Sequence, residues 1–417
     1  MSESLPKRDR GLKPPVWDSP ADSESLPPAE SLNVLMIALG DEALTGLGGD
    51  ARERHIEYAS YVGHLHMVVY SPRRQGLAQT AINEKLTVYP TRSVTRLSFV
   101  RDAYRLGARI CRQAHIDVMT TQDPFTTGLA GVLLRRRFGV PLHVQNHSNF
   151  FDNRAWLSDH PLRHRFFNWL GKRIVRRADF LRTVNEAEKA KYVAMGIDPA
   201  RVSVIPVPVR LERFTPEAPP DEAKALRAAL GIPEGAPVVL WVGRPAPVKR
   251  VPLLIDAFAR VRTGHPAAHL VLVGDFTARQ DVMAQVAGLG LSDAVHFTGA
   301  VSHETLPSYY RLCDIYAHSS AYEGFGLVLV EAAASGRPVV STRTAGAQTI
   351  VADGKTGLLC EVDDSVDLAA RMAVLLDDPE RARAMGMAGR AYVLDRFDRE
   401  RTMQAIIQSW RQAASQR

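Results

Sequence analysis

Val238-Val239-Leu240-Trp241-Val242-Gly243-Arg244-Pro245-Ala246-Pro247-Val248-Lys249-Arg250 reads as a buried strand that breaks at a glycine into a short basic loop. Five consecutive large apolar residues suit a strand covered on both faces, as in a parallel sheet. A helical run follows through Leu253, Leu254, Ala257, Phe258 and Val261, so the stretch forms a strand–loop–helix unit with Arg244 and Lys249 in its loop. Open parallel sheets take ligands outside the carboxyl ends of their strands. Two cations there can hold a diphosphate, because arginine offers a planar fork of donors, lysine a compact charge, and nearby amides share the load. A solvated basic loop is the other reading.

The same alternation extends in both directions. Short apolar runs stand at 32–39, 66–70, 86–89, 118–121, 142–145, 180–183 and 202–205 before this unit, and at 269–273, 295–298, 315–318, 339–341 and 358–359 after it, with helical stretches between them. That is the order of parallel βαβ units. Residues 207–220 carry Pro208, Pro216, Pro219 and Pro220 and mark a connector. The expectation is an α/β fold of two Rossmann-like domains facing across a cleft, at 31–210 and 211–397, with a last helix at about 398–417 returning to the first. Residues 1–30, rich in proline, serine and charge, read as a disordered tail.

A second informative stretch follows the run at 315–318. Ser319-Ser320-Ala321-Tyr322-Glu323-Gly324-Phe325-Gly326-Leu327 leads into Val328-Leu329-Val330-Glu331-Ala332-Ala333-Ala334, a loop with a glycine turn and then an apolar helix. A carboxylate at Glu331, within that helix, is costly unless hydrogen-bonded, and a ribose diol is a suitable partner. A local cap or pairing is the alternative. The glycines let backbone amides approach a phosphate or sugar closely.

Gly243-Arg244, Lys249, Glu323 and Glu331, in this order and spacing, resemble the retaining glycosyltransferases of family 4, which have the GT-B fold. The frame includes Val204-Ile205-Pro206, Phe214-Thr215-Pro216, Leu272-Val273-Gly274, Phe297-Thr298-Gly299, Ala345-Gly346 and Asp353-Gly354-Lys355-Thr356-Gly357. The resemblance runs from about Ser31 to the C-terminus. It implies that Arg244 and Lys249 clamp the donor diphosphate, that Glu331 holds the nucleotide ribose, and that Glu323 touches the transferred sugar, with Gly324, Phe325, Gly326 and Leu327 supplying amides. It further implies that Gly48-Gly49 face the donor phosphates and that His147, in Gln145-Asn146-His147-Ser148-Asn149, lies beside the anomeric carbon. As bare sequence, Gly48-Gly49 also fits a plain turn and His147 a structural histidine. Asp123, in Gln122-Asp123-Pro124-Phe125, either touches the acceptor or forms a turn before proline. One departure stands at Pro206-Val207-Pro208-Val209-Arg210, where many members have Asn-Gly-Val-Asp after the first proline.

The resemblance implies retention of configuration, a nucleotide-diphosphate sugar as donor and no metal or other cofactor; Asp-x-Asp occurs nowhere in the chain. The acceptor is left as a glycan, a lipid-linked or a small molecule. A non-catalytic nucleotide-sugar-binding protein and a nucleotide-sugar epimerase of similar fold are the alternatives.

Charge is uneven. Residues 31–215 carry a net +11 against −2 on each side, which suggests an anionic partner for the first half. Residues 161–178 interleave Arg163, Arg165, Lys172, Arg173, Arg176 and Arg177 with Phe166, Phe167, Trp169, Leu170 and Ile174. This is either a basic amphipathic helix lying peripherally on an anionic membrane or a core helix with a solvated basic face. No nucleic-acid recognition motif accompanies the charge. The three cysteines, Cys111, Cys313 and Cys360, have neither disulfide-framework nor zinc-ligand spacing. With no secretory signal or spanning run recognised, the body is expected to be cytoplasmic, at most peripheral to the inner face of the cell membrane.

Overall fold

The computed structural model describes residues 26–40, 50–214 and 220–416. The first sheet is built from β1 (Asn33–Ala38), β2 (His64–Val69), β3 (Thr80–Asn83), β4 (Leu86–Pro90), β5 (Val118–Thr121), β6 (Leu142–Asn146), β7 (Phe180–Thr183) and β8 (Val202–Val204). The second contains β9 (Val238–Val242), β10 (His269–Val273), β11 (Val295–Gly299), β12 (Ile315–His318), β13 (Val339–Thr342) and β14 (Gly357–Cys360). Strand order is β3-β4-β2-β1-β5-β6-β7-β8 in one and β11-β10-β9-β12-β13-β14 in the other. All pairings are parallel except the hairpin of β3 with β4.

Each sheet has its order reversal beside its first strand, β1 next to both β2 and β5, and β9 next to both β10 and β12. Ligand crevices open at such switch points. The loops after β1, β5 and β6, and those after β9 and β12, are therefore the loops that matter, and most of the residues singled out above lie on them.

Burial explains why these runs become strands. Every residue of β5, β6, β7, β9, β10, β12, β13 and β14 is buried, and each fully buried large apolar side chain contributes about 1.5–3 kcal/mol. The chain closes on itself through the helix Arg399–Ala414, whose Met403, Ile406, Ile407, Trp410 and Ala413 form one apolar stripe. That stripe packs under the first sheet with Val34, Met36, Val118 and Phe180, and Arg399 pairs with Glu57 at its start.

The described part of the connector is bolted down on both sides of Val207. Arg182 of β7 is fully buried; its Nε donates to the Ile205 carbonyl at 3.2 Å and its guanidinium also reaches the Pro206 carbonyl and Gln145 Oε1. Burial and the nearby Arg54 lower its pKa to about 10, the Tyr58 hydroxyl partly offsetting them, so it keeps its charge at neutral pH. Val209, Leu211 and Phe214 join the core of the second sheet. At the departure from the family pattern, Arg210 pairs with Glu53 on the helix Asp50–Ser60.

Candidate active site

In the second sheet, β9 ends at Gly243 and the chain makes a 3-10 turn at Pro247–Lys249 before the helix Val251–Gly264. This loop is stitched to the one after β12, since the Ala321 amide donates to the Val248 carbonyl at 2.8 Å and Ser319 Oγ to the Lys249 carbonyl at 2.7 Å. The stitching aims Lys249 at Glu323, with Nζ 2.5 Å from Oε2. His318, fully buried at the end of β12, places Nε2 3.6 Å from the same oxygen. Burial alone would raise the Glu323 pKa, but His318 and Lys249 outweigh it and bring it down to about 2. Burial in turn lowers the pKa of His318, with Glu323 opposing, so its ring is neutral at neutral pH. Arg244, on the same loop, is exposed; its carbonyl accepts the Ala246 amide at 2.7 Å, while its guanidinium has no hydrogen bond or ion pair with a described residue.

Past Glu323 the backbone turns into the helix Leu327–Ala334 through Gly326, which has a φ of 89° that only glycine adopts readily. Phe325 points into the core against Phe397, with ring centroids 5.4 Å apart, so it serves the loop by anchoring it. Glu331 lies one turn into that helix and is only 6% exposed. Its Oε2 accepts the hydroxyl of Tyr310 at 2.8 Å. Burial and the adjacent carboxylate hold the Tyr310 phenol well above its ordinary pKa, so it stays protonated and donates. Tyr310 meets Tyr316 at a tilt, ring centroids 5.7 Å apart, and Tyr316 stacks on His318 at 6.3 Å. No motif exposed these three; Tyr310 holds Glu331, His318 lies beside Glu323, and Tyr316 between them donates to the Val242 carbonyl at 3.4 Å.

The first sheet contributes from the opposite side. His147 follows β6 directly, and its Nε2 is 3.0 Å from Gln122 Oε1 after β5. Burial, reinforced by Arg182 and Arg54, drives its pKa well below the ordinary histidine value. Its carbonyl is the point where the two sheets' loops touch. A Cβ on Gly324 would lie 2.3 Å from the His147 oxygen and 2.3 Å from the Ser148 Cα, so only glycine fits there. Asn185 crosses the same seam, its Nδ2 donating to the Gly324 carbonyl at 2.8 Å while its Oδ1 caps the helix Glu186–Ala194. Beneath the seam Asn146 Nδ2 donates to Glu188 Oε1 at 2.8 Å and approaches the Tyr192 hydroxyl at 2.9 Å. Burial pushes Glu188 up to about 7 despite the neighbouring Lys191.

Asp123 shapes the turn ahead of a helix. Its carboxylate accepts the Phe125 amide at 2.7 Å and the Thr127 hydroxyl at 2.8 Å, organising the start of the helix Thr126–Phe138. Gly48 and Gly49 lie outside the described residues. The structure thus gathers Lys249, Glu323, Gly324, Gly326 and the His147 backbone at one seam, with Glu331 a turn behind it, and leaves Arg244 projecting from the same loop.

Two family models cover this architecture between them. Residues 59–208 match the glycosyl transferase 4-like domain and residues 222–392 the glycosyl transferases group 1. A D-inositol 3-phosphate glycosyltransferase of Geodermatophilus obscurus is 34% identical over 316 residues, 72% of this chain and 68% of that one. The chain belongs to glycosyltransferase family 4. It is an enzyme of the nucleotide-sugar type with the GT-B fold. Also similar is a GDP-mannose-dependent alpha-(1-6)-phosphatidylinositol monomannoside mannosyltransferase of Mycolicibacterium smegmatis, 32% identical over 233 residues, 54% of this chain and 60% of the relative. Among solved structures, HepE (Alr3699) of Anabaena in complex with UDP and glucose aligns with a TM-score of 0.71 at 22% identity, covering 90% of this chain and 98% of that one, a likeness of fold. The family 4 chain spans 60% of the second relative and 68% of the first.

Proposed function

We propose that this family 4 enzyme transfers a hexosyl group, with retention of configuration and without a metal ion, from a nucleoside-diphosphate sugar to the hydroxyl of an anionic acceptor. The observation that carries the reading is the seam itself, where Gly324, next to the Lys249–Glu323 pair, lies against the His147 carbonyl and Glu331 is held behind it by Tyr310.

As the bond from the anomeric carbon to the diphosphate oxygen breaks, negative charge builds on the leaving group, and fixed cations aimed there stabilise the transition state. Lys249 and Arg244 have that role. The ammonium of Lys249 carries three donors, so it can keep one on Glu323 and turn the others to phosphate. Glu323, ionised at any pH near neutral, accepts hydroxyls of the transferred sugar, and Glu331 accepts the ribose diol. The acceptor oxygen bonds to the anomeric carbon from the face the diphosphate leaves, and its proton passes to the departing phosphate oxygen. The His147 carbonyl, beside that carbon, favours the positive charge developing on the sugar. An anionic acceptor fits the +11 of residues 31–215, and the names of the two relatives above give D-inositol 3-phosphate for one and phosphatidylinositol monomannoside for the other.

The test is product analysis with a panel of nucleotide sugars and inositol phosphates. Free nucleoside diphosphate should appear in step with glycoside, the anomeric proton coupling of donor and product should match, and rates should be unchanged in EDTA. Inverted coupling, or activity lost in EDTA and restored by magnesium or manganese, would overturn the mechanism. A rearranged sugar or an intact donor would overturn the transfer reading altogether.

A further inference from the structure

The helix Pro161–Val175 has two faces that differ in kind. Inward, Ile174 is buried, Phe167 packs on Phe125 at 5.4 Å, and a Cβ on Gly171 would come within 2.7 Å of the Phe151 ring. Outward, Leu162, Phe166 and Trp169 stand 87%, 56% and 50% exposed. With Arg173 they occupy positions 162, 166, 169 and 173, one continuous stripe of a helix. The Arg173 guanidinium lies 4.3 Å over the Trp169 ring, and Phe166 is 5.9 Å from the same ring. Monomer surfaces rarely keep three large apolar side chains together in water without a use for them.

The charge around this ridge has one sign. From Pro161 to Ala178 there is no Asp or Glu. Lys172 pairs with Asp152, but Arg163, Arg165, Arg173, Arg176 and Arg177 are exposed and form no ion pair with a described carboxylate. Arg176 and Arg177 also line a recess with Arg135, Arg136 and Arg201, in which Asp179 is already taken by Arg135. The helix begins two residues after Asp159, whose Oδ2 is 3.3 Å from the hydroxyl of Tyr322, the neighbour of Glu323. The ridge therefore starts beside the mouth of the seam. Among the described residues no helix is long and apolar enough to cross a membrane.

We infer that the outer face of Pro161–Val175 docks the enzyme on an anionic lipid bilayer, Leu162, Phe166 and Trp169 entering the interface and the flanking arginines meeting headgroup phosphates. The charge complementarity and the exposed aromatic stripe select a bilayer over a free anion, which would need the arginines alone. Docked this way, the enzyme presents its cleft mouth to hydroxyls at the bilayer surface, which would make a lipid-borne acceptor accessible. The surface can be tested without reference to transfer, so its failure and that of the proposed reaction are separable.

The experiment is co-sedimentation of the full chain with phosphatidylcholine vesicles, alone or with about one third phosphatidylglycerol, in low and moderate salt. Wild type should bind the anionic vesicles, weakly or not at all the neutral ones, and release as salt rises. An arginine at an anionic surface is worth about fivefold in partition, so Arg173→Ala/Arg176→Ala/Arg177→Ala should lose on the order of a hundredfold. Phe166→Ser/Trp169→Ser should lose roughly tenfold or more. In a Trp17→Phe background brominated acyl chains should quench Trp169, since Trp156, Trp241 and Trp410 are buried. Unchanged thermal midpoints certify that both variants fold. Wild type failing to bind anionic vesicles, or either variant binding as wild type does, would overturn the inference. So would a concentration-dependent dimer abolished by Trp169→Ser, which would assign the face to a second copy. Binding to heparin without binding to vesicles would reduce it to a polyanion surface and overturn it equally.

Discussion

At the scale of single residues, the seam depends on one carboxylate whose charge is fixed by its neighbours. Glu323 is held at about 2 against an ordinary 4.5 because His318 and Lys249 outweigh the effect of burial. A folded-state pKa below the unfolded one contributes stability that is present above about pH 4.5 and is lost as pH falls toward 2. Denaturant unfolding of wild type and Glu323→Gln should therefore differ by on the order of 2 kcal/mol at pH 6, and the gap should narrow below pH 4.5. A gap constant with pH would mean that the ion pair has no such role. Glu331 stood out in the sequence because a carboxylate in an apolar helix demands an explanation, and Glu323 stood out through the resemblance of the motif around it. Tyr310, Tyr316 and His318 were not, because aromatic residues in apolar runs read as core and their partners are fixed only by folding. Asp123 was open between acceptor contact and turn, and the hydrogen bonds it makes to Phe125 and Thr127 are those of a turn, while an acceptor contact is a matter for the proposed reaction.

Elements were legible in proportion to their burial. The parallel strands read as continuous apolar runs and fold within a residue or two of where those runs lie. β3 did not, since Thr80–Asn83 is a largely exposed edge strand without alternation and is defined by its antiparallel pairing with β4. For the helix at 161–178 the sequence offered two readings, a core helix or a membrane-facing one. Gly171 marks the inner face, where added volume meets the rings of Phe151 and Phe125. Gly171→Ala should cost about 1–3 kcal/mol and lower the thermal midpoint, whereas Trp169→Ser on the outer face should stay within about 0.5 kcal/mol of wild type. Equal effects of the two changes would contradict the division into faces.

At the scale of the molecule, the two-sheet plan and the place of the connector followed from the spacing of apolar runs and prolines. The closure of one sheet's loops upon the other's did not. The hydrogen bond from Asn185 to Gly324 joins residues 139 apart in the chain, and the close approach of Gly324 to His147 depends on how the sheets meet. That meeting sets Glu323 at the seam and Glu331 a turn behind it, and the proposed reaction assigns the first to the sugar and the second to the ribose. Calorimetric titration with UDP and GDP, and with the intact donor that supports turnover, tests the division directly. Glu331→Ala should weaken both the nucleoside diphosphate and the intact donor by roughly ten- to a hundredfold, the cost of a hydrogen bond to a buried charged group. Glu323→Ala should weaken the intact donor and spare the nucleoside diphosphate. Glu331→Gln, which keeps an acceptor for Tyr310, guards against a folding artefact. Nucleoside diphosphate binding at wild-type strength by a folded Glu331→Ala enzyme would contradict the assignment of this carboxylate to the ribose and the account of the site built on it.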